Sequence, residues 1–167
     1  MEKRRKIIIT EGWDERVLQA AEKLVNARVL DVILIGDEKK ITATVRLLKL
    51  NFKYEIVDPS QYNHRRELID KLVQIRKDKG MTLEKAKQLI HNDIMYFSFM
   101  LFHGGLGDGV SGSCIYSTAE FMRPAFQIIG KRDDVNTVSE VGMMVQGKRL
   151  FFLSDCSLNI DPSAEEL

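Results

Sequence analysis

Short apolar runs alternate with amphipathic stretches along the first third of the chain. Ile7-Ile8-Ile9 is a continuous apolar run, closed by Glu11-Gly12. Val17, Leu18, Ala21, Leu24 and Val25 then recur at the 3.6-residue period of a helix opened at Trp13 or Asp14. Val29 to Ile35 is a second apolar run, ended by Gly36-Asp37. A second helix covers Glu38 to Leu48, and a third strand runs from Lys53 to Val57, ended by Asp58-Pro59. Three strands and two helices with short joins predict right-handed βαβ units and a largely parallel sheet. Continuous apolar strands suit such a sheet because helices cover both faces.

The middle third reads as helical. Arg65 to Lys77 carries Leu68, Leu72, Val73 and Ile75, and Gly80 interrupts it. Thr82 is placed to cap a helix over Leu83, Ala86, Leu89 and Ile90. Ile94 to Phe102 is apolar almost all round, which predicts a buried helix. It leads into a loop-like segment, residues 104–113, that holds five of the eleven glycines. Beyond it, Ser117 or Thr118 is positioned to cap a helix containing Phe121, Met122, Ala125, Phe126 and Ile129. Pro124 is awkward inside a helix, so a start near Arg123, with Pro124 in the first turn, is the alternative. Thr137 to Val145 and Arg149 to Ser154 read as a hairpin about Gln146-Gly147-Lys148. Asn159 to Leu167 reads as a new helix start, with Pro162 and the glutamates in its first turn.

Composition narrows the function classes. A chain of 167 residues, 44% hydrophobic and 29% charged, reads as one globular domain. A net charge of +1 gives no bulk attraction to nucleic acid or membrane, and Lys3-Arg4-Arg5-Lys6 reads as a solvated start to the first strand. No uncharged apolar stretch is long enough to span a bilayer. Cys114 and Cys156 are too few for a disulfide framework and sit beside apolar runs; both are expected to be buried free thiols in a cytoplasmic protein.

The glycine segment lacks the endings of a Walker A loop and of a dinucleotide fingerprint. Two readings remain level: a tight turn, or an anion-binding concavity of freed N–H groups, with Asp108 on its lip. Ser111, Ser113, Ser117 and Thr118 add hydroxyls nearby, and Arg123 offers a bidentate grip on phosphate or carboxylate. Glu11, Asp14 and Glu15 follow the first strand, where α/β sheets bind ligands, although acids there also stabilise a helix N-terminus. Arg76 ends a helix, where a cation is favoured without any ligand. Asp155 follows the last strand in a similar position. The three histidines, His64, His91 and His103, show no metal-ligand spacing, and no serine-hydrolase elbow is present.

Four blocks carry a family resemblance. They are Glu11-Gly12-Trp13-Asp14-Glu15-Arg16 with Ala20-Ala21, Arg76-Lys77-Asp78-Lys79-Gly80-Met81-Thr82, Asp108-Gly109-Val110-Ser111-Gly112 with Ser117-Thr118-Ala119 and Arg123-Pro124-Ala125, and Phe151 to Leu167. In that order they resemble the N-terminal half of the phosphate acetyltransferase and phosphate butyryltransferase family. The resemblance implies a three-layer α/β/α fold of isocitrate/isopropylmalate dehydrogenase-like type. Its sheet would be mostly parallel, with a late antiparallel hairpin, in one domain over 1–167 and with the second domain absent. It implies transfer of acetyl between coenzyme A and phosphate, with CoA as substrate and no tightly bound cofactor or metal. Arg76, Arg123 and Ser111 would be catalytic, and Gly109, Gly112, Ser117 and Thr118 would line the binding wall. The half-length chain is expected to be an incomplete, inactive half-site that self-associates or needs a second-domain partner. A butyryltransferase and a non-catalytic phosphate- or acyl-phosphate-binding module are the alternatives. One departure stands out: the family usually has one more residue between Gly109 and Val110.

Overall fold

A computed structural model describes residues 4–135, 137–154, 158–159 and 163–164. The chain divides into two compact units, 1–129 and 130–167.

The first unit is built on four parallel strands in the order β3-β2-β1-β4. These are β1 (Arg5–Ile9), β2 (Leu30–Ile35), β3 (Glu55–Val57) and β4 (Gly109–Ser111). Alternate residues of β2 serve opposite faces, as the strand pleat requires. Val32 and Leu34 pack against α1 (Glu15–Asn26) and α2 (Glu38–Leu47). Ile33 and Ile35 pack against the opposite layer, formed by α3 (Arg65–Ile75), α4 (Leu83–Asn92) and α5 (Ile94–His103). The apolar run of α5 is explained by its place: Met95 to Leu101 are all buried.

Side-chain caps set the helix starts. Asp14, Asp37, Thr82 and Asp93 each accept backbone N–H groups that would otherwise lack partners. Asp14 is also gripped by Arg16, with Nε on Oδ1 at 3.0 Å and Nη2 on Oδ2 at 2.9 Å. The Arg16 hydrogen bonds hold the Asp14 carboxyl down at about 2; burial opposes them, and the N–H groups of Arg16 and Val17 assist. A carboxylate lowered in the folded state stabilises above its unfolded pKa of about 3.9, and that stabilisation is lost as pH falls through about 2. Asp14→Ala is therefore expected to cost about 1 kcal/mol near pH 7, a gap that closes toward pH 2. Urea melts of both proteins across that range check it.

Arg4, Arg5 and Lys6 lie at the N-terminal end of β1, in the interior of the sheet order. Arg4 pairs with Asp31 at 3.2 Å, Arg5 with Asp108 at 3.4 Å and Lys6 with Glu55 at 2.8 Å. Asp108 also accepts the Lys6 N–H at 2.8 Å, so it stitches the start of β4 to β1 instead of facing a ligand.

Several sequence expectations are corrected. The glycine segment is not wholly a loop, since residues 109–111 form β4 beside β1. Its glycine-rich composition hid a strand that must fit tightly: a Cβ on Gly107 would lie 2.9 Å from Ile8 Cγ1. The helix after it, α6 (Thr118–Pro124), starts at Ser117 and not near Arg123. Ser117 and Glu120 form a reciprocal capping box, which fixes the start upstream. Pro124 then falls at the helix end, and the backbone continues as a π-helical segment, Ala125–Ile129. Cys114 is exposed, not buried. Asp155 and Cys156, and most of the expected last helix, lie outside the described residues.

The late antiparallel hairpin expected from the sequence is present. β5 (Val141–Gln146) and β6 (Arg149–Ser154) form an antiparallel sheet of their own in the second unit. The reason lies in their composition. Val-Gly-Met-Met-Val and Leu-Phe-Phe-Leu are apolar on both faces, and a two-stranded ribbon cannot bury both; every residue of the two strands is exposed.

Candidate functional site

Arg76 is held where α3 stops. Its carbonyl accepts the N–H of Lys79 at 3.0 Å and of Met81 at 3.2 Å, which closes a turn whose left-handed position, φ 70°, is filled by Gly80. Thr82 then caps α4. The Lys77–Gly80 block thus fixes the backbone from which the Arg76 side chain projects. That side chain is partly buried, and its Nε is buried with no protein partner.

Arg123 stands on the last turn of α6, exposed. Both arginines act electrostatically on one phenol, Tyr96 of α5, a helix that packs against both α3 and α6. Burial pushes the Tyr96 hydroxyl up and Asp93 adds to that, while Arg123 and Arg76 pull the other way. The hydroxyl donates to Gln127 Oε1 at 2.8 Å, which ties α5 to the π-helical segment behind Arg123. Sequence reasoning missed Tyr96 because it sits in an apolar run that reads as core. The only signal was that a buried tyrosine needs a partner for its hydroxyl.

The second wall is the end of β4. Ser111 is exposed there, and its carbonyl accepts the Thr10 N–H at 3.0 Å. Gly109 pairs with Ile7. Gly112 is sterically obligatory, because a Cβ would lie 2.1 Å from Thr10 Oγ1 and 2.9 Å from Phe121 Cε2. Phe121 in turn stacks edgewise on Phe99 at 5.1 Å, so α6, which carries Arg123, is seated on both Gly112 and α5.

Glu11 is fully buried and organises the next loop. Its Oε1 accepts the N–H of Cys114 at 2.9 Å and of Ile115 at 3.3 Å, while Oε2 accepts the Thr10 hydroxyl at 2.6 Å. This candidate acid is thus committed to holding backbone. Ser111, Gly112, Cys114 and Glu11 share a cavity of about 170 Å³.

The remaining expected residues divide. The Ser117 hydroxyl donates to Glu120 Oε2 at 2.6 Å and accepts the Glu120 N–H, so its hydrogen bonds belong to the cap. Thr118 opens α6 and is exposed. Arg76 and Arg123 therefore share an electrostatic influence on Tyr96, and Ser111 and Gly112 adjoin at the β4 end. Two guanidiniums and exposed hydroxyls suit an oxyanion or phosphoryl group. No cluster of three or more His, Cys, Asp or Glu side chains with metal-holding geometry occurs among the described residues. No described helix is long and apolar enough to cross a membrane.

Comparison with known proteins agrees with this chemistry. The family model for phosphate acetyl/butaryl transferase matches residues 1–167. The phosphate acetyltransferase of Bacillus subtilis is 37% identical over 163 residues, covering 97% of this chain and 50% of that protein. That of Corynebacterium glutamicum is 35% identical, covering 96% and 49%. Among solved structures, a phosphotransacetylase from Streptococcus pyogenes matches with a TM-score of 0.88 at 33% identity, over 99% of this chain and 51% of that one. A phosphotransacetylase from Staphylococcus aureus matches with a TM-score of 0.83 at 32% identity, over 95% and 48%. These matches replace the dehydrogenase-like fold analogy with a phosphotransacetylase fold. The chain spans about half the length of these relatives, and within that span it belongs to the phosphate acetyl/butaryl transferase family.

Proposed function

We propose that this chain supplies the phosphate-holding wall of a phosphate acetyltransferase, which interconverts acetyl-CoA plus phosphate with acetyl phosphate plus CoA. The observation that carries the reading is the buried Arg76 Nε with no protein partner, on an arginine that, like Arg123, acts electrostatically on Tyr96. Such a group is satisfied by a phosphoryl oxygen, and charge-assisted hydrogen bonds are the strong ones. In the direction that consumes acetyl phosphate, the CoA thiolate sulfur bonds the carbonyl carbon, the bond from that carbon to the bridging oxygen breaks, and phosphate leaves with the electron pair. The arginines hold the phosphoryl oxygens throughout and stabilise the charge that grows on the leaving group. Positioning the two substrates supplies the rest, and no protein nucleophile is required.

The half-length match supports a further part of the reading: this wall is one side of a cleft whose other side lies in the remaining half of the family's proteins. A polypeptide of these 167 residues is expected to bind acetyl phosphate and inorganic phosphate competitively in calorimetric titrations. It is also expected to show no CoA-dependent consumption of acetyl phosphate. Absence of phosphate and acetyl phosphate binding overturns the functional reading. Robust turnover overturns the half-site part alone. The same titrations with coenzyme A test whether that substrate contacts this wall.

A further inference from the structure

A second and larger cavity opens where β1, β2 and β3 end. It measures about 510 Å³, within the range of small-molecule sites. Its lining shares no residue with Arg76, Arg123, Ser111 or Gly112. One part is apolar, formed by Trp13, Pro59, Ile90, Ile94 and Phe97. The ionisable lining groups are Asp37, Lys40, Asp58, Arg65, His91 and Asp93.

The three carboxylates face backbone donors. Asp37 accepts the Lys40 N–H at 2.7 Å. Asp58 accepts the N–H of Glu38 at 3.1 Å and of Ser60 at 2.8 Å, and Asp93 accepts that of Met95 at 2.9 Å. Lys40 lies over the Trp13 ring, 5.3 Å from its centroid. Arg65 is different. It is partly buried and makes no ion pair within 4 Å among the described residues. Its Nη1 meets His91 Nδ1 at 3.1 Å, and its Nε is buried with no protein partner. A guanidinium gripped on one nitrogen and unsatisfied on another presents a bidentate edge toward an anion.

We propose that this cavity is a second ligand site, taking a small organic anion whose carboxylate or phosphate group pairs with Arg65 and whose apolar body lies against Trp13, Pro59 and Ile94. The site is independent of the acyl-transfer reading. Trp13 is the sole tryptophan, so its emission reports this cavity alone. Phenyl phosphate and benzoate, titrated separately, distinguish phosphate from carboxylate headgroups, and inorganic phosphate tests the need for the apolar body.

The expected result is a saturable change in Trp13 emission with phenyl phosphate, benzoate or both. Its midpoint should rise about tenfold or more in Arg65→Met, less in Arg65→Lys, and stay unchanged in Arg76→Gln. Inorganic phosphate alone should act at least about tenfold more weakly. Thermal melts establish that each variant is folded, and Arg65→Lys carries the test if Arg65→Met is not. No saturable change with either aromatic anion overturns the proposal. So do equal midpoints in wild type and the Arg65 variants, or an inorganic phosphate midpoint equal to that of phenyl phosphate.

Discussion

Gly112→Ala is expected to lower stability by about 3 kcal/mol, a fall of roughly 6–12 °C in melting temperature for a chain of this size. The added carbon would sit 2.1 Å from Thr10 Oγ1, with Phe121 Cε2 at 2.9 Å and Glu11 Oε2 at 3.1 Å. None of the three can yield freely. Thr10 and Glu11 are fully buried, and the Thr10 hydroxyl is already bonded to the Glu11 carboxylate that holds the 114–115 backbone. Moving Thr10 strips a buried carboxylate of a donor, and moving Phe121 unseats the helix that carries Arg123. Gly142→Ala is the matched control. There an added Cβ meets nothing closer than 3.7 Å, and the change should stay within about 0.5 kcal/mol. Differential scanning calorimetry of the two variants decides between a steric requirement at Gly112 and a general sensitivity to lost glycines.

That contrast also shows what the sequence could and could not disclose. The periodicity of Val17 to Val25 and the apolar runs at Ile7 and Val29 located β1, α1 and β2, because one buried face leaves a regular imprint. β4 left none. Its residues, Gly109, Val110 and Ser111, are too few and too small to show alternation, and close packing against Ile7 and Ile8 demanded glycine exactly where strand signals were needed. The capping box at Ser117 and Glu120 was readable, but Pro124 left a later start open. At the site, Arg76 and Arg123 were nameable from their blocks. Their shared influence on Tyr96 was not, since that residue lies 20 residues from one and 27 from the other and reads as core. Glu11 looked like an acid poised for chemistry. Only its contacts with Cys114 and Ile115 reveal a structural duty.

Replacing either arginine should weaken acetyl phosphate binding strongly. A charge-assisted bond to a phosphoryl group contributes roughly 1.5–3 kcal/mol, so Arg76→Gln is expected to raise the dissociation constant roughly 10- to 150-fold. Arg76→Lys keeps the charge but loses the fork, and should recover only part of the loss. The glutamine change removes a partly buried cation that no carboxylate pairs within 4 Å among the described residues. Its effect on melting temperature should therefore be small compared with its effect on binding. Arg123→Gln is on the surface and should behave similarly for binding. On the proposal that both arginines grip one group, the double variant should lose less than the sum of the two single losses.

The most direct test of the account is a phosphorus NMR titration of acetyl phosphate against the wild-type chain and the Arg76→Gln/Arg123→Gln variant. The proposal that Arg76 and Arg123 together hold a phosphoryl group predicts a saturable shift in the wild type and no saturation in the folded double variant over the same range. Equal saturation of the two proteins would contradict that assignment.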